Sequence, residues 1–244
     1  MSTHGVRKGV LCLAVGAVAS IPSIAADATA LGSSASSDAA LATKINLTLN
    51  DLPSTIKWSP PVPRGPGVGD GRLFVACMKA KGGLATSISP DLFGIVGKPG
   101  GVDTVDVPSP SYERSSGGFP YVVSDVVFVT SAAQATDDLA AMKTKADLAC
   151  LPRILDPGFS KSGIRETVSR RSRPSFGTGN GGVHVRQVFT GAGLPSPNYF
   201  DFYYYVDGRV EITIGFSSSA AQPFSSTLAD AVVAKIMTRA KSVL

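Results

Sequence analysis

"FDFYYYVDGRVEITIGF", residues 200–216, decides the fold. Two runs rich in β-branched and aromatic residues flank Asp207-Gly208, the pattern of an antiparallel hairpin. A two-residue turn at Asp207-Gly208 sets Tyr204 against Glu211 and Phe202 against Thr213, mixing apolar and polar positions on each face. A three-residue loop over 206–208, with Gly208 left-handed, instead pairs Tyr204 with Val210, Phe202 with Ile212 and Phe200 with Ile214. Tyr205, Tyr203 and Asp201 then oppose Arg209, Glu211 and Thr213. One face becomes core and the other polar, and this is the expected register.

The chain closes with "SSTLADAVVAKIMTRAKSVL", where Leu228, Val232 and Ile236, flanked by Val233 and Met237, form an apolar stripe behind a Ser/Thr cap. This helix is expected to cover the apolar face of the hairpin. Upstream, "YVVSDVVFV" is largely apolar at both alternating sets and reads as a strand covered on both sides. Behind it, Ser131 and Gln134 form a capping-box pattern. Ala135, Leu139, Met142, Ala146 and Ala149 then make one stripe of a single helix ending at Cys150. "DGRLFVACMKAKGG" has Leu73, Phe74, Cys77 and Ala80 at helical spacing, with Gly82-Gly83 as a stop. Residues 84–119, rich in Pro, Gly and Ser, read mostly as loop. Two more strands, "GIRETVS" from Gly163 and "VHVRQVFT" from Val183, bracket "RRSRPSFGTGNGG". The order predicts one α+β domain over 44–244, a mainly antiparallel sheet packed by helices.

The amino-terminal "MSTHGVRKGVLCLAVGAVASIPSIAADATA" runs from basic residues through a short apolar stretch to small residues, the order of a secretory signal peptide over 1–26. The apolar stretch is too short to span a bilayer comfortably, so the protein is expected to be peripheral to a membrane at most. Cys12 follows Val10 and Leu11 at the start of that stretch, unlike a lipid-attachment cysteine. "DATALGSSASSDAALAT", 27–43, has no aromatic residue and little periodicity, and is expected to be a flexible leader. Of 23 basic and 18 acidic side chains, the signal would remove Arg7 and Lys8, leaving a net charge of about +3. That balance demands no nucleic-acid partner.

Two cysteines then remain, Cys77 and Cys150, in a chain bound for an oxidising compartment, which predicts a disulfide between them. The rival reading is a reactive thiol working with His184.

Gly177, Gly179 and Gly182 have the spacing of a phosphate-cradling loop. A strand rather than a helix follows, so the loop is read as a hairpin connection with His184 in the strand beside it. One mature histidine cannot supply the paired ligands of a helical zinc site, and no Gly-x-Ser-x-Gly elbow presents a serine to it. Ser54-Thr55-Ile56-Lys57 matches Ser-x-x-Lys, but its expected companions fail at Val126 and at Lys145. No catalytic residue, metal ligand or cofactor is therefore assigned. A hydrolase using a serine with His184 is the enzymatic alternative.

Arg165, Arg170, Arg171 and Arg173, relieved only by Glu166, are candidate ligand-binding residues, because clustered guanidinium groups make bidentate contacts to phosphates and carboxylates. Tyr203 and Tyr205, on the expected polar face, complete the candidate set. The partner they imply is an anionic glycan or lipid of the cell envelope, with a surface protein as the other reading and a monomeric state for the chain itself. A solvated basic loop is the plainer explanation.

"LTLNDLPSTIKW" after a low-complexity leader, "SDVVFVTSAAQATDDLAAMKTKADLACL", and "YVDGRVEITIGF" before a terminal amphipathic helix together resemble the extracytoplasmic sensor domains of actinobacteria. These include the region outside the membrane of a mycobacterial Ser/Thr kinase and related lipoproteins. Over residues 45–242 the resemblance implies an α+β sandwich with a disulfide and a cleft, and a binding or sensing role without catalysis. The chain departs from that group in having no kinase domain, no lipobox and only two mature cysteines.

Overall fold

The computed structural model describes residues 27–63, 76–78, 80–81, 103–150, 163–173, 181–191 and 193–244. The signal-peptide reading and most of the glycine loop, including Gly177 and Gly179, lie outside them. The elements are α1 (Asp27–Ile45), β1 (Asp103–Pro108), β2 (Tyr112–Glu113), β3 (Tyr121–Val129), α2 (Ala132–Ala141), α3 (Lys145–Cys150), β4 (Ile164–Arg173), β5 (Gly182–Gly191), β6 (Asn198–Asp207), β7 (Val210–Ser219) and α4 (Ser226–Val243). All strands join one antiparallel sheet in the order β1-β3-β7-β6-β5-β4, with β2 also on β3. The fold is α+β, as expected.

Both faces of the sheet are covered. On one, Val126, Phe128, Ile212, Ile214, Tyr203 and Tyr205 pack with Ala42 and Ile45 of α1 and with Val232, Val233, Ile236 and Met237 of α4. On the other, Val127, Val129, Val183, Val185, Tyr204 and Val206 pack with Ala135 and Leu139 of α2 and with Met142. The α4 stripe lies on the hairpin as its period predicts, and Ser225 Oγ caps it by accepting from Leu228 N at 3.2 Å.

This double cover overturns the expected register. Asp207 pairs with Val210, Tyr205 with Ile212, Tyr204 with Thr213 and Tyr203 with Ile214. The turn therefore holds Gly208, at φ +56°, together with Arg209. The expected pairing assumed that one face met water, whereas Glu211 and Thr213 are buried beneath α2 and sorting by polarity misleads.

Three local expectations also change. The helix expected to run unbroken to Cys150 is two, α2 and α3. Thr144 Oγ1 accepts from Asp147 N at 3.1 Å and starts the second, while Arg170 Nη1 donates to the carbonyls of Met142 and Thr144, each at 2.8 Å. The segment read as a flexible leader is α1. Its last turns bury Ala42 and Ile45, and Asp38 accepts an ion-paired hydrogen bond from Arg209 beside the hairpin turn. Within the span read as loop, β1 and β2 pair with β3.

Cys77, in the helical turn 76–78, is joined to Cys150 at the end of α3 by a disulfide with Cα atoms 5.6 Å apart. The predicted staple between these two helical segments is present, and it closes a sequence separation of 73 residues. In the chain-entropy model that is worth roughly 4 kcal/mol.

Candidate anion-binding face

β4 occupies one end of the sheet, paired only with β5 among the described strands. Side chains alternate across a strand. Arg165, Thr167, Ser169, Arg171 and Arg173 therefore project on the side that α4 covers further along the sheet, and Glu166, Val168 and Arg170 on the opposite side. The pairing of Ser169 with Arg186 and of Arg171 with His184 puts these β5 residues on the first face as well. The basic cluster seen in the sequence is thus divided by the sheet.

Arg170, on the far side, is occupied: besides the two carbonyls, it lies 3.9 Å from the buried carboxylate of Asp147. Glu166, on the same side, accepts from Gln187 Nε2 at 3.0 Å. Burial raises the Glu166 carboxyl above its ordinary value, only partly offset by that hydrogen bond. Arg170 is a structural tie and leaves the candidate set.

Arg173 is held too, ion-paired with Asp230 of α4 and stacked over the Tyr203 ring at 4.9 Å from its centroid. Tyr203 and Tyr205 are only 1% and 2% exposed. They form no outer surface, which corrects their place in the candidate set. Burial pushes both phenols up to about 12, so they stay neutral. Gly182 opens β5 where the Tyr205 ring needs room: a Cβ there would lie 2.5 Å from that ring and from the Tyr204 carbonyl oxygen.

Next to them lies a network that the sequence alone did not show. Asp201 accepts from Arg186 through Nε at 2.8 Å and Nη2 at 3.0 Å, and its Oδ1 lies 2.6 Å from His184 Nε2. Burial opposes the Asp201 charge, but the hydrogen bonds from His184 and Arg186 outweigh it and hold the carboxyl below the usual aspartate value. The His184 ring stacks on Tyr203 with centroids 4.3 Å apart. Among the described residues no serine or cysteine is hydrogen-bonded to His184. The geometry is that of a packed ion pair anchoring Arg186, whose side chain remains 41% exposed and lies 5.6 Å from the Tyr199 ring centroid. Arg186 and Asp201 sit two positions from their strands' more conspicuous residues, and only the β5–β6 register, Arg186 against Asp201, joins them.

Arg165 and Arg171 remain. Both are exposed, on one face of β4, and neither has an acidic partner among the described residues. Six residues of strand separate them by about 20 Å. Arg186 projects between them, one rung in, opposite Ser169.

A groove of about 740 Å³ lies elsewhere, at the hairpin turn between α1 and α4. Its wall joins Leu41, Phe128 and Val243 to Asp38, Asp207, Arg209 and Lys241. Arg209 there is already paired with Asp38 and lies 5.0 Å from the Phe128 ring centroid. Acids match bases, so it is neither a basic groove nor an apolar tunnel.

No group of metal-ligating side chains occurs among the described residues, and no described helix is long and apolar enough to cross a membrane. No protein-family model matches the chain, and neither the characterised proteins nor the solved structures contain one similar enough to carry an inference.

Proposed function

We propose that the protein is a secreted, non-catalytic binding module that recognises an anionic component of the cell envelope on the sheet face bearing Arg165, Arg171 and Arg186. The observation that carries this reading is the contrast among neighbouring arginines. Arg170 and Arg173 are consumed by internal partners, while Arg165 and Arg171 stand exposed on one face with no acidic partner among the described residues. Unpaired guanidinium groups held on a rigid strand are preorganised to receive carboxylates or phosphates in a bidentate manner. The signal-like amino terminus and the Cys77–Cys150 bridge favour action outside the cytoplasm, and the resemblance to actinobacterial sensor domains points the same way. Against a serine hydrolase stands the lack, among the described residues, of any serine hydroxyl hydrogen-bonded to His184, whose contacts there are Asp201 and the Tyr203 ring.

The test is fluorescence anisotropy with labelled dextran sulfate against labelled neutral dextran, using the mature, disulfide-bonded chain. Binding of the sulfated polymer alone, weakened about tenfold or more in Arg165→Ala/Arg171→Ala, is expected. Equal binding by that variant removes the proposal.

A further inference from the structure

Resting on that reading, the geometry points to the ligand class: we infer that the face is built for a linear, carboxylate-bearing polysaccharide lying along β4 rather than for a membrane surface or a single small anion. The charges form a line. Arg165 and Arg171 lie on one strand about 20 Å apart, and Arg186 enters the line from β5, opposite Ser169. Between them on the same face stand the hydroxyls of Thr167 and Ser169, and beyond Arg186 the ring of Tyr199. Alternating cations, hydroxyls and an aromatic ring suit a chain of sugar rings with spaced acids: guanidinium groups take the carboxylates, hydroxyls take the ring substituents, and the tyrosine face takes a pyranose C–H face.

Among the described residues a small anion meets one free guanidinium at a time here, because Arg165 and Arg171 are too far apart to grip it together, and Arg186 is already shared with Asp201. A bilayer surface is disfavoured by the placement of apolar side chains. Among the described residues the exposed large ones are Leu49, Val62 and Leu244. Val62 bridges Ser111 beside β2, at the opposite end of the sheet from β4, and Leu49 lies in the turn Leu49–Asp51 before β1. Leu244 lines the hairpin groove. None stands on β4 or β5 to insert into lipid.

The experiment titrates the mature protein, at fixed moderate salt, with oligogalacturonates of increasing length, with neutral maltooligosaccharides of matching length, and with phosphatidylglycerol vesicles. Affinity is expected to climb with oligogalacturonate length until the chain spans the two outer arginines, then to level off. Arg165→Ala should lower the affinity of long oligomers about tenfold while leaving that of the shortest nearly unchanged. Maltooligosaccharides should bind far more weakly. Arg171-dependent binding that is independent of length, or that favours vesicles over long oligomers, overturns the polysaccharide inference while the anion-binding reading stands. Failure of every anionic probe to bind overturns both. Circular dichroism and thermal unfolding of each variant separate lost binding from lost fold.

Discussion

Arg170 Nη1 lies 3.9 Å from Oδ2 of Asp147, and the Asp147 side chain is fully buried. One guanidinium shared with two backbone carbonyls does not offset that burial. Desolvation pushes the Asp147 carboxyl up to about 8, with Arg170 lowering it only in part. An acid whose folded value lies above its unfolded value of about 4 retains its proton in the native state between those limits. The native state then binds more protons than the unfolded one, so this group's effect on stability grows less favourable as pH rises from about 4 to about 8.

Asp147→Asn removes that dependence. The variant should gain on the parent by on the order of 4 kcal/mol between pH 5 and pH 8, about 1.4 kcal/mol for each pH unit. Urea unfolding midpoints at the two pH values read the difference. A gap that stays constant with pH contradicts the assignment.

Arg239 of α4 closes the structure over the end of α1. It donates to the carbonyls of Ile45 at 3.0 Å and Asn46 at 2.7 Å, and to both carboxylate oxygens of Asp51 at 3.0 and 2.8 Å. Burial raises the Asp51 carboxyl, but the hydrogen bonds from Arg239 and Thr48 bring it below its ordinary value. Its stabilising contribution is therefore complete above about pH 4 and is lost as pH falls through the depressed native value. Arg239→Ala leaves the buried Asp51 carboxylate without its cation, held among the described residues by Thr48 alone, and should cost about 3 kcal/mol at neutral pH, with faster hydrogen exchange in residues 35–45. Unchanged exchange there shows that α1 is held without the clasp.

Gly182→Ala tests the packing behind the arginine face. The added methyl meets both the Tyr205 ring and the Tyr204 carbonyl at 2.5 Å. Because a backbone oxygen cannot swing aside, the cost should be about 1–3 kcal/mol, a fall in melting temperature of roughly 2–4 °C per kcal/mol for a chain of this size. An unchanged melting temperature means that the ring does not lie against this strand.

What the sequence disclosed follows from how locally each feature is encoded. β3 spans Tyr121–Val129 as read, because both of its alternating residue sets are largely apolar. The α4 stripe and the Cys77–Cys150 pairing were legible from period and count. The hairpin was legible as a hairpin but not in register: with helices on both faces, Tyr203 and Tyr204 are equally buried, and polarity cannot choose between alignments. α1 escaped notice because Ala and Ser dilute the stripe of Leu41, Ala42 and Ile45, and tertiary contact rather than local propensity holds it. For the candidate site, the arginines were visible but their division was not. "RRSR" reads as loop chemistry until β4 is known to continue to Arg173, at which point alternation sends Arg170 and Arg171 to opposite faces.

The most direct test of the binding face is NMR of the arginine side chains in the disulfide-bonded protein during titration with long oligogalacturonate. The Nε–Hε resonances of Arg165, Arg171 and Arg186 should shift together and saturate at one ligand concentration, while those of Arg170 and Arg209 stay in place. Shifts confined to Arg209 and the amides around Lys241 would instead put the ligand in the hairpin groove and contradict the account.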